Sequence, residues 1–281
     1  MFKVFETEFC GRHLIIETGK MAQLAGGACL VRYGETVVHA TATASAKPRD
    51  GIDFFPLAVD YEEKLYSVGK IPGSYLKREG RPSEKAILAS RCIDRPIRPL
   101  FPKDLRNDVA IVATVMSVDQ DNDPVITAMI GASIAISISN IPFNGPIAGA
   151  TVGLVDGQIV VNPTQEQRKN SDMFLTIAGT AEKVNMIEAG ANQVPEETVF
   201  EGIMAAHKEI QKICKFISDI QAEIGKPKFE YDSVVVPEEL YEDVKAVAIE
   251  KVRWALDTDE DRKSTRLNFS HCRISRMPSS A

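Results

Sequence analysis

Apolar and polar positions alternate in the first quarter of the chain. Residues 2–9, 13–18 and 28–33 read as short strands with one face turned to a core. Residues 34–45 (GETVVHATATAS) alternate again, and Gly34-Glu35 supplies the turn that opens the strand. His39 lies inside it; a histidine there is a packed residue and receives no chemistry. Residues 54–61 form another strand, which runs into the acidic positions Asp60, Glu62 and Glu63. Residues 108–118 are nearly continuous in Val, Ile and Ala, which predicts a strand covered on both faces.

The period changes at residues 125–139. Asp123 is placed to cap a helix and Pro124 to occupy its first turn. Ala128, Gly131, Ala132 and Ala135 leave room for another element to approach closely. Asp119, Asp121 and Asp123 alternate like a calcium loop. Pro124 stands where that loop needs glycine, however, and Ile130 where it needs a bidentate glutamate. A turn leading into a helix accounts for these residues better. Residues 140–149 connect two halves. Residues 150–155 and 158–161 make a hairpin about Asp156-Gly157, and 172–179 with 183–189 a second strand pair.

Residues 195–225 carry Val199, Ile203, Ala206, Ile210, Ile213, Ile217, Ile220 and Ile224 at helical spacing. That seam fits a coiled coil, but inside such a chain it fits better a helix laid on a sheet. Gly225 and Pro227 stop it. A linker at 229–237 leads to another helical pattern at 237–258, which holds Trp254.

Composition adds bounds. The chain has 281 residues, a net charge of −6, 44% hydrophobic and 26% charged residues, as in an ordinary globular protein. The most apolar run, 126–141, is broken by Gly, Ser and Thr, so no membrane partner is expected. The amino terminus lacks a secretory apolar core. Five scattered cysteines without a CxxC pair suggest neither zinc nor disulfides, and a cytoplasmic setting is the simplest.

Against that acidic background, residues 73–102 (GSYLKREGRPSEKAILASRCIDRPIRPLFP) stand out. Seven of these thirty residues are Lys or Arg and three are acidic. Tyr75 and Leu76 precede Lys77-Arg78, and Arg81 follows Gly80. A ring beside guanidinium groups suits single-stranded nucleic acid. Pro82 is placed for a first helical turn with Glu84 beside it. Ile87, Leu88 and Ile93 are set to face a core, and Pro96 to end or kink the helix. Arg91, Arg95 and Arg98 would share one helix side. Spacing alone also fits a solvated loop before an amphipathic helix.

This stretch closely resembles the first ribonuclease-PH-like core of the bacterial polynucleotide phosphorylase family. Residues 54–73 (FFPLAVDYEEKLYSVGKIPG) and 122–147 (NDPVITAMIGASIAISISNIPFNGPI) extend the likeness, which covers about residues 1–261. The resemblance implies an α/β (α+β) fold: mixed sheets packed by helices over 1–228, in halves 1–145 and 146–228. The start of an all-helical domain would follow at 229–261. It also implies an N-terminal fragment of a phosphorolytic 3′-to-5′ exoribonuclease active in mRNA degradation. Tyr75, Lys77, Arg78 and Arg81 would then be RNA contacts lining a homotrimer's aperture. Inorganic phosphate, nucleoside diphosphates and an RNA-decay complex are the further implied partners. The family's Ser-rich phosphate loop, its Asp/Asp/Lys cluster and its Mg²⁺ belong to a second core. No catalytic or metal residue is therefore assigned here. A non-catalytic RNA-binding or scaffolding module is the rival, and a single-core ribonuclease PH relative a third possibility. Residues 262–281 carry five Lys/Arg, no acid and no apolar period. They resemble translated adapter DNA and are expected to pack on nothing; a natural basic tail is the alternative.

Overall fold

The computed structural model describes residues 2–73, 75–231, 233 and 236–257. The expectation for residues 262–281 falls outside them. Two compact units divide between residues 232 and 233.

The first unit begins with the antiparallel run β1 (Lys3–Phe9), β2 (Arg12–Thr18), β3 (Gly27–Tyr33) and β4 (Thr36–Ala44). β5 (Leu57–Glu63) lies parallel to β6 (Val109–Ser117), and β6 pairs antiparallel with β4. The sheet order is thus β1-β2-β3-β4-β6-β5. On β6 full burial alternates with partial burial, unlike the continuous cover expected. Its run of Val, Ile and Ala lies between β4 and the edge strand β5, with one face buried and the other partly covered.

Two helices cover the buried face. α1 (Glu84–Ile97) packs on β5, and α2 (Pro124–Ile138) on β3 and β4. Asp123 caps α2 by accepting a hydrogen bond from Val125 N at 2.8 Å. Every residue of α2 from Ile126 to Ile138 is buried, because the helix also meets the second sheet and the long helix behind it. The small residues permit this. A Cβ on Gly131 would sit 3.0 Å from Ala40 Cβ, and one on Gly27 2.0 Å from the Ala135 carbonyl oxygen.

The second sheet contains β7 (Ala148–Val155), β8 (Gln158–Val161), β9 (Met173–Gly179) and β10 (Val184–Ala191), in the order β10-β9-β7-β8, all antiparallel. Asp156 and Gly157 both take positive φ, 50° and 74°, as a type I′ hairpin demands. A short helix, α3 (Gln165–Lys169), was not expected from the sequence; a reciprocal capping box between Thr164 and Gln167 starts it. α4 (Glu196–Ile224) lays its seam on this sheet, with Ala206, Ile210, Ile213, Ile217 and Ile220 buried.

Asn162 joins the two sheets. Its Oδ1 accepts from Thr151 N at 2.9 Å and its Nδ2 donates to Tyr33 Oη at 3.2 Å. After α4, Lys228 Nζ donates to the carbonyls of Ser139, Ser137 and Ile136 at 2.8, 2.9 and 3.3 Å, and so closes the end of α2.

The second unit contains α5 (Glu238–Asp257), on which Val244, Val247 and Trp254 are exposed. Among the described residues no helix is long and apolar enough to cross a membrane.

Candidate nucleic-acid interface

The basic stretch follows β5. After that strand a 3₁₀ turn (Leu65–Val68) ends at Gly69 in the left-handed region. Two acidic residues then hold the loop. Glu79 Oε1 accepts from Leu65 N at 2.9 Å, and Glu63 Oε2 accepts from Ser83 Oγ at 3.0 Å. Ser83 caps α1 by accepting from Ala86 N at 3.1 Å. Pro82 therefore lies before the cap and not in the first turn. Pro96 lies inside α1, one residue before its end; a 3₁₀ turn (Arg98–Leu100) carries the chain on. Ile93 is fully buried, but Ile87 and Leu88 are 52% and 65% exposed. The core side of α1 is instead lined by Ala86, Ala89, Cys92, Ile93 and Ile97.

Tyr75 is 98% exposed, and Lys77, Arg78 and Arg81 all face solvent. Lys77 adopts φ +50°, the left-handed region. Among the described residues, the side chains of Lys77, Arg78, Arg81, Lys85 and Arg91 make no hydrogen bond or ion pair. The basic side of α1 is divided. Arg95 pairs with Glu188 on β10, while Arg98 pairs with Asp94 at 2.8 Å and donates to the Leu57 carbonyl at 3.1 Å. Only Arg91 of the three keeps its charge uncommitted. The loop thus presents one ring and several unspent cations, the combination that neutralises phosphates and stacks a base. Neighbouring Glu62 is held below the usual carboxylate range, chiefly by the hydrogen bond from Lys64.

The alternating aspartates form the turn expected of them. Asp119 Oδ1 accepts from Asp121 N at 2.9 Å, Asp119 Oδ2 from Asn122 Nδ2 at 2.6 Å. Desolvation pushes the Asp123 carboxyl pKa up, and the N–H of Val125 and the charge of Arg168 oppose it. Among the described residues no group of three His, Cys, Asp or Glu is arranged to hold a metal. Burial drives the thiols of Cys10, Cys29, Cys92 and Cys214 up to about 12, so they are not poised as nucleophiles. His39 is half-buried, and its Nε2 has no partner among the described residues.

Glu63, Glu79 and Ser83 were not singled out from the sequence. A serine directly before the helical period was the available signal for the cap. Nothing local marked Glu79 as an anchor.

Two profiles of one family match in tandem. The 3′ exoribonuclease family domain 1 profile covers residues 11–142, and domain 2 covers 145–209. The chain belongs to the 3′ exoribonuclease family. Among relatives of this family, it is 63% identical over 269 residues to a polyribonucleotide nucleotidyltransferase of Ruminiclostridium cellulolyticum, covering 95% of the chain and 38% of that protein. It is 58% identical over 258 residues to the one of Clostridioides difficile, covering 92% and 37%. The chain thus spans little more than a third of these relatives' length. Among solved structures, rice (Oryza sativa) Rrp46 superposes with a TM-score of 0.59 at 13% identity, over 79% of this chain and 94% of the other. At that identity the likeness supports the fold alone, the α/β (α+β) arrangement of mixed sheets packed by helices that the resemblance implied.

Proposed function

We propose that this chain is the RNA-guiding first core of a polyribonucleotide nucleotidyltransferase that degrades RNA phosphorolytically from its 3′ end. Residues 1–228 form that core, in halves 1–145 and 146–228, and residues 229–261 lead into a helical domain. Tyr75 offers a base-stacking ring, and Lys77, Arg78 and Arg81 neutralise the backbone of single-stranded RNA. The supporting observation is that these cations are solvent-facing and, among the described residues, free of acidic partners in a chain of net charge −6. Three copies would set their loops around one aperture in the cytoplasm. Membership of a larger RNA-decay assembly is part of the same reading.

Bond-breaking is assigned to the longer polypeptide. Inorganic phosphate would attack the terminal linkage and release a nucleoside diphosphate, with Mg²⁺ and a phosphate cradle supplied by a second core. The acids present here do not fit that metal, since Asp119, Asp121 and Asp123 are engaged in a turn and a helix cap. No step is therefore routed through it. No function is assigned to residues 262–281. The 269-residue match is long enough to enter them, so a foreign origin is proposed only beyond that match.

The test is phosphate-dependent release of nucleoside diphosphate from RNA, together with RNA binding. The chain as given should bind RNA and release none; a polypeptide extended to its relatives' length should release it. Phosphorolysis by this chain would overturn the division of labour. Binding without activity in the extended polypeptide would favour the scaffolding module.

A further inference from the structure

Beside the guide loop lies a cavity of about 540 Å³, within the usual size of a small-ligand site. Its apolar walls include Val115, Val118, Ala86 and Pro124, and Tyr61 also lines it. Its charged lining is Glu62, Glu63 and Glu79 against Lys64 and Arg81, and Ser67 and Ser83 add hydroxyls already bonded to the Lys64 carbonyl and to Glu63. Lys64 is spent on Glu62 at 3.0 Å, which leaves Arg81 as the lining cation without a partner among the described residues.

We propose that this cavity receives one nucleobase of the bound RNA, guanine in preference to the others, while Arg81 holds that nucleotide's phosphate at the mouth. The inference rests on the guide-loop reading above and adds a base specificity to it. Charge sets the orientation. Three carboxylates repel a phosphate from the interior, and the unpaired guanidinium attracts it to the edge. An apolar wall suits the faces of a flat heterocycle. Carboxylate oxygens only accept hydrogen bonds, so the favoured base is the one with adjacent donors on its pairing edge. Guanine presents N1–H beside its N2 amine, a two-donor fork that meets a carboxylate as a guanidinium does. Uracil offers a single N–H between two acceptors that the carboxylates would repel. Glu79 is the best-placed reader. Its Oε1 is fixed by Leu65 N, and its Oε2 has no partner among the described residues.

The experiment compares short oligouridylates with and without one guanosine, binding to the 281-residue chain and to its variants. Wild type should favour the guanosine RNA about tenfold, the range of one good bidentate base contact. Glu79→Gln keeps an acceptor for Leu65 N but replaces the free oxygen by a donor. It should bring the ratio to about one. Arg78→Ala should weaken both RNAs alike. Photocrosslinking of an RNA carrying 6-thioguanosine should label peptides 61–68 or 79–86. Equal affinities in wild type, an unchanged ratio in Glu79→Gln, or crosslinks confined elsewhere would overturn the cavity assignment. If binding nevertheless stayed salt-dependent and sensitive to Arg78→Ala, the guide loop would stand. Loss of all RNA binding in wild type would remove both.

Discussion

Replacing Arg78 and Arg81 together by alanine tests the loop most directly. Neither side chain makes a hydrogen bond or ion pair among the described residues and both are exposed, so folding stability should change by less than about 0.5 kcal/mol. Any lost affinity is then a property of the interface. Five unpaired cations, Lys77, Arg78, Arg81, Lys85 and Arg91, are available to the strand. If each meets one phosphate, the log–log salt slope for single-stranded RNA is about −3.5, from about 0.7 per contact. The double variant should show a slope of about −2.1. If the counterion contribution vanishes near ~1 M salt, losing two contacts weakens binding about 15-fold at ~150 mM and about 60-fold at ~50 mM. Fluorescence anisotropy of a labelled oligouridylate, titrated at several salt concentrations, reads both quantities. Arg98→Ala is the control, because that guanidinium is already committed to Asp94 and the Leu57 carbonyl. It should leave the slope nearly unchanged. A double variant with the wild-type slope, or a larger effect from Arg98→Ala, would mean that the loop is an ordinary solvated surface.

Two further outcomes concern the scaffold behind the loop. Burial raises the pKa of Asp123 above its unfolded value, so its ionised form is a net cost to folding. That cost is present above the folded pKa and fades as pH falls toward the unfolded value. Asp123→Asn keeps a capping oxygen and removes the charge; it should match or exceed wild-type stability at neutral pH, and the advantage should shrink on acidification. An advantage that grows in acid would contradict the sign. Lys228→Met leaves three carbonyls at the end of α2 without their ammonium. A loss of about 1–3 kcal/mol is expected, read as a lower urea midpoint at constant m; an unaltered midpoint would show that water replaces the lysine at no cost.

Much of the architecture was legible because local and global preferences agree. Asp156-Gly157 can form a tight hairpin by itself, and the positive φ at both residues follows from their chemistry. The isoleucine seam of α4 required only a flat apolar partner, which the second sheet supplies. Failures arose where a residue's partner lies far along the chain. Arg95 reads as one of a basic triplet until Glu188, 93 positions away, is brought beside it. Ile87 and Leu88 have the hydropathy of core residues, but α1 meets its neighbours through Ala86, Ala89 and Ile93, and the larger pair is turned outward. The run 109–117 is apolar enough for two covered faces, yet alternate positions on it are only partly buried. The Thr164–Gln167 capping box was a local signal for α3 and was visible in the sequence.

The acids and bases around the loop divide their work in a way that composition alone conceals. Glu63 and Glu79 do not neutralise Arg78 or Arg81; they accept hydrogen bonds from Ser83 and from the Leu65 backbone. Had they paired with the arginines, the loop would be electrostatically satisfied and a phosphate would have to break ion pairs to bind. As it stands, carboxylates hold both ends of the segment 65–83 while the guanidinium groups keep their charge for an incoming strand. Association then need not bear the full entropic cost of ordering this backbone. On the proposed reading the remaining acidic surface repels a polyanion, and RNA is drawn to the loop where Lys77, Arg78 and Arg81 lie close together with their charge uncommitted among the described residues. On that reading a net charge of −6 sharpens the selectivity of the loop for nucleic acid instead of opposing it.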